Sequence, residues 1–289
     1  MSQFCPFKQY LLYADDASLK VSEESLHSLE VHATIELASL KEFFDDRNLS
    51  LNFEKTKFLQ FKTKQNRINL DTNIAIDDKE INKADTIKFL GLLVDSNLSW
   101  DNHTKQLLNK INSGLYAVRQ MSFLCGTHIL KQVYFAHIQS HISYGVAMYG
   151  ATKKENMTDI LKVQKKAIRA ILNLDFRDSV KQHFTELNIM TVFGLYIYHS
   201  ILVFINNKSK LCTEIHRYGT RKKHEIVTQH HRLQLFTKKP TYVGRKFFQC
   251  ITKKIRFENI SKFKIVLKNY LINIAPYSIE EFEVACNNI

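Results

Sequence analysis

The chain has 289 residues, 45% of them hydrophobic, with only three Pro and eight Gly. That length supports one large domain or two ordinary ones with a real core, and the composition excludes collagen-like, linker-rich and low-complexity proteins. The formal net charge of +13 is uneven: residues 1–100 hold 12 Lys and Arg against 16 Asp and Glu, and residues 101–289 hold 29 against 12.

A basic back end of this kind favours a polyanionic partner through counterion release and steering, although a solvated basic surface gives the same count. Five cysteines, Cys5, Cys125, Cys212, Cys250 and Cys286, lie far apart and form no C-x-x-C pair. Neither a disulfide framework nor a zinc finger is indicated. Cys212, His216 and His230-His231 are a conceivable ligand group, but no tight ligand pair sits on a turn. Met1–Lys8 has no basic start and no long apolar run, so an intracellular, reducing setting is expected.

In chain order, an apolar run from Tyr10 to Tyr13 leads into Asp15 and Asp16, and a second run follows from Ala17 to Val21. This predicts a β-hairpin with two carboxylates at its tip. Such a tip suits a hard Mg²⁺ that bridges phosphates, and Asp-Asp equally suits a plain turn. Ser22–Asn48 reads as a helix capped at Ser22, with Leu26, Leu29, Ile35, Leu37, Leu40, Phe43 and Phe44 at helical spacing. The alternation Lys57-Phe58-Leu59-Gln60-Phe61 fits a half-buried strand within 49–61. Ile68–Lys83, with Asp71, Asp77, Asp78 and Glu80, reads as two short strands around a turn. Ala84–Asp95 reads as a strand pair carrying Phe89-Leu90-Gly91, where Gly91 permits a tight turn or a close backbone approach.

From Ser99 onward the periodicity is helical. Asn102–Cys125 places Leu107, Leu108, Ile111, Leu115 and Val118 three and four apart. Thr127–Tyr149 reads as a second apolar helix and Lys153–Leu174 as a third. The third carries Lys162, Lys165, Lys166 and Arg169, a candidate phosphate-contacting cluster that is also compatible with a solvated face. Ile189–Ile205 approaches the minimum length for a membrane span. Its Thr191, Gly194, His199 and Ser200, flanked by Glu186 and Lys208, instead predict a buried core helix and no membrane partner. Arg217–Leu235 is basic and loop-like, with Tyr218 available for base stacking. Phe263, Ile265, Leu267, Tyr270 and Leu271 belong to helices that look structural.

Tyr13-Ala14-Asp15-Asp16 resembles the Tyr-x-Asp-Asp box of reverse transcriptases. Leu51-Asn52-Phe53-Glu54-Lys55-Thr56-Lys57 resembles the Asn-x-x-Lys-Thr segment that follows it, and Phe89-Leu90-Gly91, continuing to Asp95, resembles the primer-grip turn. Leu98–Leu174 is similar to the thumb and following helices of non-LTR (LINE-type, jockey-like) retrotransposon polymerases. Tyr218–Arg221 and Pro240-x-Tyr242-x-Gly244 extend the likeness to about Phe247. The resemblance implies an α+β chain: a partial polymerase palm sheet over 1–97, a thumb-like helical region over 98–174, and a helical, basic extension over 175–289. It implies Asp15 and Asp16 as Mg²⁺ ligands for attack of a primer 3′-hydroxyl on a nucleotide, with RNA template and DNA primer as partners. It points to Lys55, in preference to Lys57, as the group that meets the leaving pyrophosphate, where negative charge grows. Phe89, Leu90 and Gly91 would brace the primer.

The resemblance begins at the second metal box. In-line transfer by two metals needs acids on both sides of the metal pair. The family draws another Asp from an earlier strand, and Met1–Ala14 contains no Asp or Glu. The expectation is therefore a truncated RNA-directed DNA polymerase, inactive alone and with weak or absent Mg²⁺ binding. The alternatives are a non-enzymatic nucleic-acid-binding remnant that uses its basic helices, and a decayed element fragment. No endonuclease constellation is present.

Overall fold

A computed structural model describes residues 7–63, 65, 72–76, 79–207, 231–252, 254–255 and 259–287. The chain divides into two compact units, Met1–Leu98 and Ser99–Ile289. The segments 98–174 and 175–289, expected as separate regions, thus fall almost wholly within one unit.

In the first unit, β1 (Phe7–Tyr13) and β2 (Asp16–Ser22) pair antiparallel, from Phe7 opposite Ser22 to Tyr13 opposite Asp16. Only Ala14 and Asp15 connect them, the shortest common hairpin loop. Because Ser22 belongs to this ladder, helix α1 (Leu26–Asp45) starts later than expected and is capped by Ser25, whose hydroxyl accepts the Ser28 N–H at 3.1 Å. The helix fully buries only Ala33. That residue joins Ile74, Ile76 and Ile81 in a small core, with Val21, Leu37, Leu51, Phe53 and Phe58 packed around it.

The remaining strands are short. β3 (Lys57–Phe58) pairs parallel with β6 (Asn82–Lys83), β4 (Ala75–Ile76) pairs antiparallel with β5 (Lys79–Glu80), and β7 (Thr86–Phe89) pairs antiparallel with β8 (Leu92–Asp95). The two strands around a turn are present at β4 and β5, although their connecting residues 77 and 78 lie outside the described residues, as does Asp71. Among the described residues, the strands make four separate two-stranded ladders. The half-buried strand expected over 57–61 shrinks to two residues. Beyond it the backbone makes scattered bonds, from the Ala84 N–H to the Phe58 carbonyl and from the Lys62 N–H to the Ser96 carbonyl.

The second unit is helical, so the molecule as a whole is α+β. Helix α2 (Asp101–Met121) buries Leu107, Ile111, Leu115 and Val118, the stripe its spacing predicts, and leaves Lys105, Lys110 and Arg119 exposed. The single helix expected over 127–149 is broken. It becomes α3 (Thr127–Tyr134), a π turn (Phe135–Gln139), α4 (Ser140–Ser143) and, after a turn at Gly145, α5 (Val146–Tyr149). Helix α6 (Lys154–Leu172) ends at Asn173, which takes the left-handed conformation at φ 53°. Among the described residues, helices α7 (Lys181–Glu186), α8 (Val192–Asn206), α9 (Pro240–Ile251), α10 (Ile260–Ile274) and α11 (Ile279–Asn287) follow, with a 3-10 turn at Gln234–Lys238 before α9.

At the centre, the fully buried Gln164 of α6 donates from Nε2 to the Tyr134 hydroxyl at 2.8 Å and to the Met190 carbonyl at 3.2 Å. Its Oε1 accepts the Val192 N–H at 2.8 Å. Tyr134 in turn donates to Gln139 at 2.9 Å. Thr191 caps α8 by accepting the Gly194 N–H, and its own hydroxyl donates to the Pro276 carbonyl at 2.7 Å.

Helix α8 is the apolar segment of the sequence, and it is a 15-residue core helix. Among the described residues no helix is long and apolar enough to cross a membrane. Helix α8 is tightly approached by α9 at Gly244, where a β-carbon would overlap the Ser200 carbonyl oxygen and the Phe204 side chain. Gly244→Ala is therefore expected to cost about 1–3 kcal/mol through overpacking, read as a lowered melting temperature.

Candidate functional site

The two acids sit at the hairpin tip. Asp15 is the second loop residue and Asp16 the first residue of β2, and both are exposed. Ala14, the first loop residue, takes φ 52°, the left-handed region a primed hairpin turn requires and an alanine adopts only under strain. The apolar row leading to the tip is uncovered. Tyr10, Leu11, Leu12 and Tyr13 are 41%, 44%, 60% and 67% exposed. Tyr10 is anchored by its hydroxyl, which donates to the Glu36 carboxylate of α1. That bond, with burial and the charge of Glu36, pushes the phenol up to about 12.

Lys55 stands on a turn whose shape the neighbouring motif residues determine. Asn52 Oδ1 accepts the Lys55 N–H at 3.1 Å, while the Asn52 carbonyl accepts the Thr56 N–H at 3.0 Å and the Thr56 hydroxyl at 2.8 Å. Asn52 and Thr56 are thereby spent on backbone geometry, as Asx-type turns use them, and Lys55 is exposed. Lys57, the other lysine of the segment, lies in β3 and is also exposed.

Phe89-Leu90-Gly91 forms the tip of the β7–β8 hairpin. Phe89 pairs with Leu92, and Leu90 and Gly91 make the two-residue connection with φ 44° and 82°. Positive φ at both positions is the type I′ pattern, which Gly fits and a Leu does not. Phe89 and Leu90 are nonetheless 38% and 37% exposed, so the tip presents apolar surface to solvent. The acids, the lysine turn and this tip lie on three distinct turns of the first unit, and among the described residues no hydrogen-bonded ladder joins their strands. Among the described residues no group of three or more His, Cys, Asp or Glu side chains is placed to hold a metal ion.

The basic cluster of α6 divides in two. Lys162 is exposed and pairs with Asp159 at 2.7 Å, and Lys166 is exposed as well. Lys165 and Arg169 are partly buried against other parts of the fold. The Lys165 ammonium lies 3.8 Å from the centre of the Tyr277 ring, and Arg169 donates to the Asp178 carbonyl at 2.9 Å, with its guanidinium 5.8 Å from the Phe176 ring. Burial, then the charge of Arg169, and to a lesser extent that of Lys181, lower the Lys165 pKa from its usual range, against an opposing pull from Glu281. Two further residues complete this neighbourhood. Lys181 of α7 sits 5.4 Å from the same Tyr277 ring and pairs with Glu281 of α11. No spacing in the sequence connects Lys181, Tyr277 or Glu281 to α6. Only the fold brings them there.

Among the remaining expected groups, Cys5, Cys212, His216, His230 and the basic stretch through Tyr218 lie outside the described residues. His231 stacks on Phe236 at 5.3 Å and meets Tyr242 edge-on at 5.1 Å. Comparison of the chain with family models, with curated proteins and with solved structures gave no match.

The β7–β8 turn yields a direct test. Leu90→Asn supplies the residue that type I′ turns favour and is expected to stabilise the hairpin by about 1 kcal/mol, whereas Gly91→Val should destabilise it by at least as much. Native-state amide hydrogen exchange across 86–95 reads both changes.

Proposed function

We propose that this chain comprises the palm end, thumb and C-terminal extension of a non-LTR retrotransposon reverse transcriptase. The observation that carries the reading is the order of three short boxes, Tyr13–Asp16, Asn52–Lys57 and Phe89–Gly91, each on a turn that exposes its distinctive side chains. Exposed carboxylates, an exposed lysine and an apolar hairpin tip are the surfaces a palm would turn toward metal, leaving group and primer. The excess of Lys and Arg over residues 101–289 supplies the attraction for a template–primer backbone.

Asp15 and Asp16 fit a single Mg²⁺ that keeps its waters and shares phosphate oxygens, the usual manner of binding this ion. They do not by themselves fit a two-metal centre, because both come from one side of one turn. In this reading the 289-residue polypeptide performs no nucleotidyl transfer on its own. Its expected behaviour is absence of primer extension with Mg²⁺ or Mn²⁺ on an RNA template. Extension that Asp15→Ala abolishes would overturn that expectation.

A second reading, a non-enzymatic nucleic-acid-binding protein, is favoured by the charge distribution alone. Both readings require RNA or primer–template binding that weakens steeply with salt. Reversing Lys162 and Lys166 to Glu should lower the salt-dependence slope by about one for each phosphate no longer engaged. Fluorescence anisotropy measured from about 50 to 200 mM salt checks this, and an unchanged slope would remove Lys162 and Lys166 from the interface. A polypeptide that supplies the other palm acids separates the two readings. Restored extension that requires Asp15 supports the polymerase.

A further inference from the structure

Three cationic side chains converge around one aromatic ring in the second unit. Lys165 lies over the Tyr277 ring at 3.8 Å, Lys181 approaches it at 5.4 Å, and Arg169 stands one turn along α6 from Lys165. The carboxylate among them is Glu281, and it is already committed. It pairs with Lys181 and accepts the Tyr277 N–H at 2.7 Å, while the Glu281 N–H donates to the Ser278 hydroxyl at 3.1 Å at the start of α11. Burial alone would raise this carboxyl, but the bonds from Lys181 and the Tyr277 amide outweigh it and hold it low. Glu281 is therefore a charged, internally used group, and the cluster keeps two positive charges in excess.

Two buried donors in the same place lack acceptors. The Tyr277 hydroxyl and the Arg169 Nε–H are both shielded from solvent and make no hydrogen bond. Buried donors left unmade are uncommon and costly, and two of them beside an uncompensated cation is a pattern that an anion would relieve. The phenol is held protonated by burial, up to about 12, and so remains a donor at any physiological pH. All the unused groups are donors, and an oxyanion is all acceptors.

We propose that Lys165, Lys181, Arg169 and Tyr277 form a pocket for one phosphate group. A tetrahedral phosphate has enough oxygens to meet two ammonium groups, a guanidinium edge and a hydroxyl together, whereas a planar carboxylate has two. The phosphate comes from the backbone of a nucleic-acid strand, an origin that rests on the function proposed above, or from a free phosphate ion. The same pocket separates the α6 cations by role: Lys165 and Arg169 grip one phosphate in a built site, and Lys162 and Lys166 contribute only diffuse charge.

The test uses the full chain and NMR. Inorganic phosphate is titrated against chloride at constant ionic strength while the Arg169 Nε–H and Tyr277 amide resonances are followed. Both should shift and saturate. Lys165→Met and Lys181→Met, which keep the aliphatic stems, should each weaken the titration about tenfold. Tyr277→Phe should weaken it severalfold, and Lys162→Met should leave it unchanged. A short single-stranded DNA is then added in a second titration. Displacement of phosphate with the same resonances moving supports the backbone as the source. Movement with phosphate but not with a DNA strand that binds elsewhere overturns the backbone origin and leaves a free-phosphate site. No movement with phosphate, or movement that Lys165→Met leaves untouched, overturns the pocket. Persistent DNA binding in that case would spare the proposed function.

Discussion

The helical unit is organised around the buried side-chain amide of Gln164. Gln164 is fully enclosed, and it makes two donor bonds and one acceptor bond, to Tyr134, to Met190 and to Val192. A side-chain amide in that position is stabilising only if it is satisfied on both ends, because an unmet half would carry its full desolvation cost in a low-dielectric interior. The requirement fixes three things at once: the rotation of α6, the placement of the π turn after α3, and the first turn of α8. The Thr191 cap then carries the constraint to Pro276, the residue before Tyr277. Lys165 follows Gln164 directly, so the same anchor that locks the core sets where the cation meets the Tyr277 ring.

The two units differ in how they meet the hydrophobic requirement. The helical one buries long stripes on α2, α6 and α8 and encloses several large aromatics. The first unit has a four-residue buried cluster, a helix with one buried residue, and an uncovered apolar row from Tyr10 to Tyr13. Its exposed candidate residues stand on turns with strained or capped backbone: Ala14 and Leu90 at positive φ, and Asn52 locking the Lys55 turn. Strain retained on exposed turns is more readily explained by what those turns present than by their own stability.

Sequence periodicity was a good guide wherever one face of an element is buried. The stripes of α2 and α6 and the buried character of α8 follow directly from residue spacing and composition, while the first hairpin, whose apolar row is uncovered, is legible from its two strand-like runs and the acids between them. Periodicity failed where the signal does not change with the structure. The apolar residues of 127–149 continue at helical spacing through the π turn, so no letter in the sequence announces it, whereas Gly145, which takes φ 69° at the second break, was an available stop signal. Ser22 and Ser25 are comparable caps, and strand pairing with Phe7 decided between them. The candidate sites divide in the same way. The acidic tip and the glycine turn could be read locally, whereas Lys165 and Arg169 acquire distinct surroundings only through Lys181 and Tyr277, which are remote in sequence.

The π turn has a consequence for how this chain tolerates insertions and deletions. In a regular α-helix two residues five apart point about 140° away from each other, so Tyr134 and Gln139 could not bond along one face. The wider π turn absorbs one extra residue and brings them together. Removing any single residue between them would let the helix regularise. The pair would then stand four residues apart, about 40° around the helix axis, so the face from Gln139 to Ser143 would keep its direction toward the Gln164 hub. A one-residue deletion is therefore taken up by the turn itself, whereas a further insertion would be wound into the helix and would rotate the face that follows by roughly 100°.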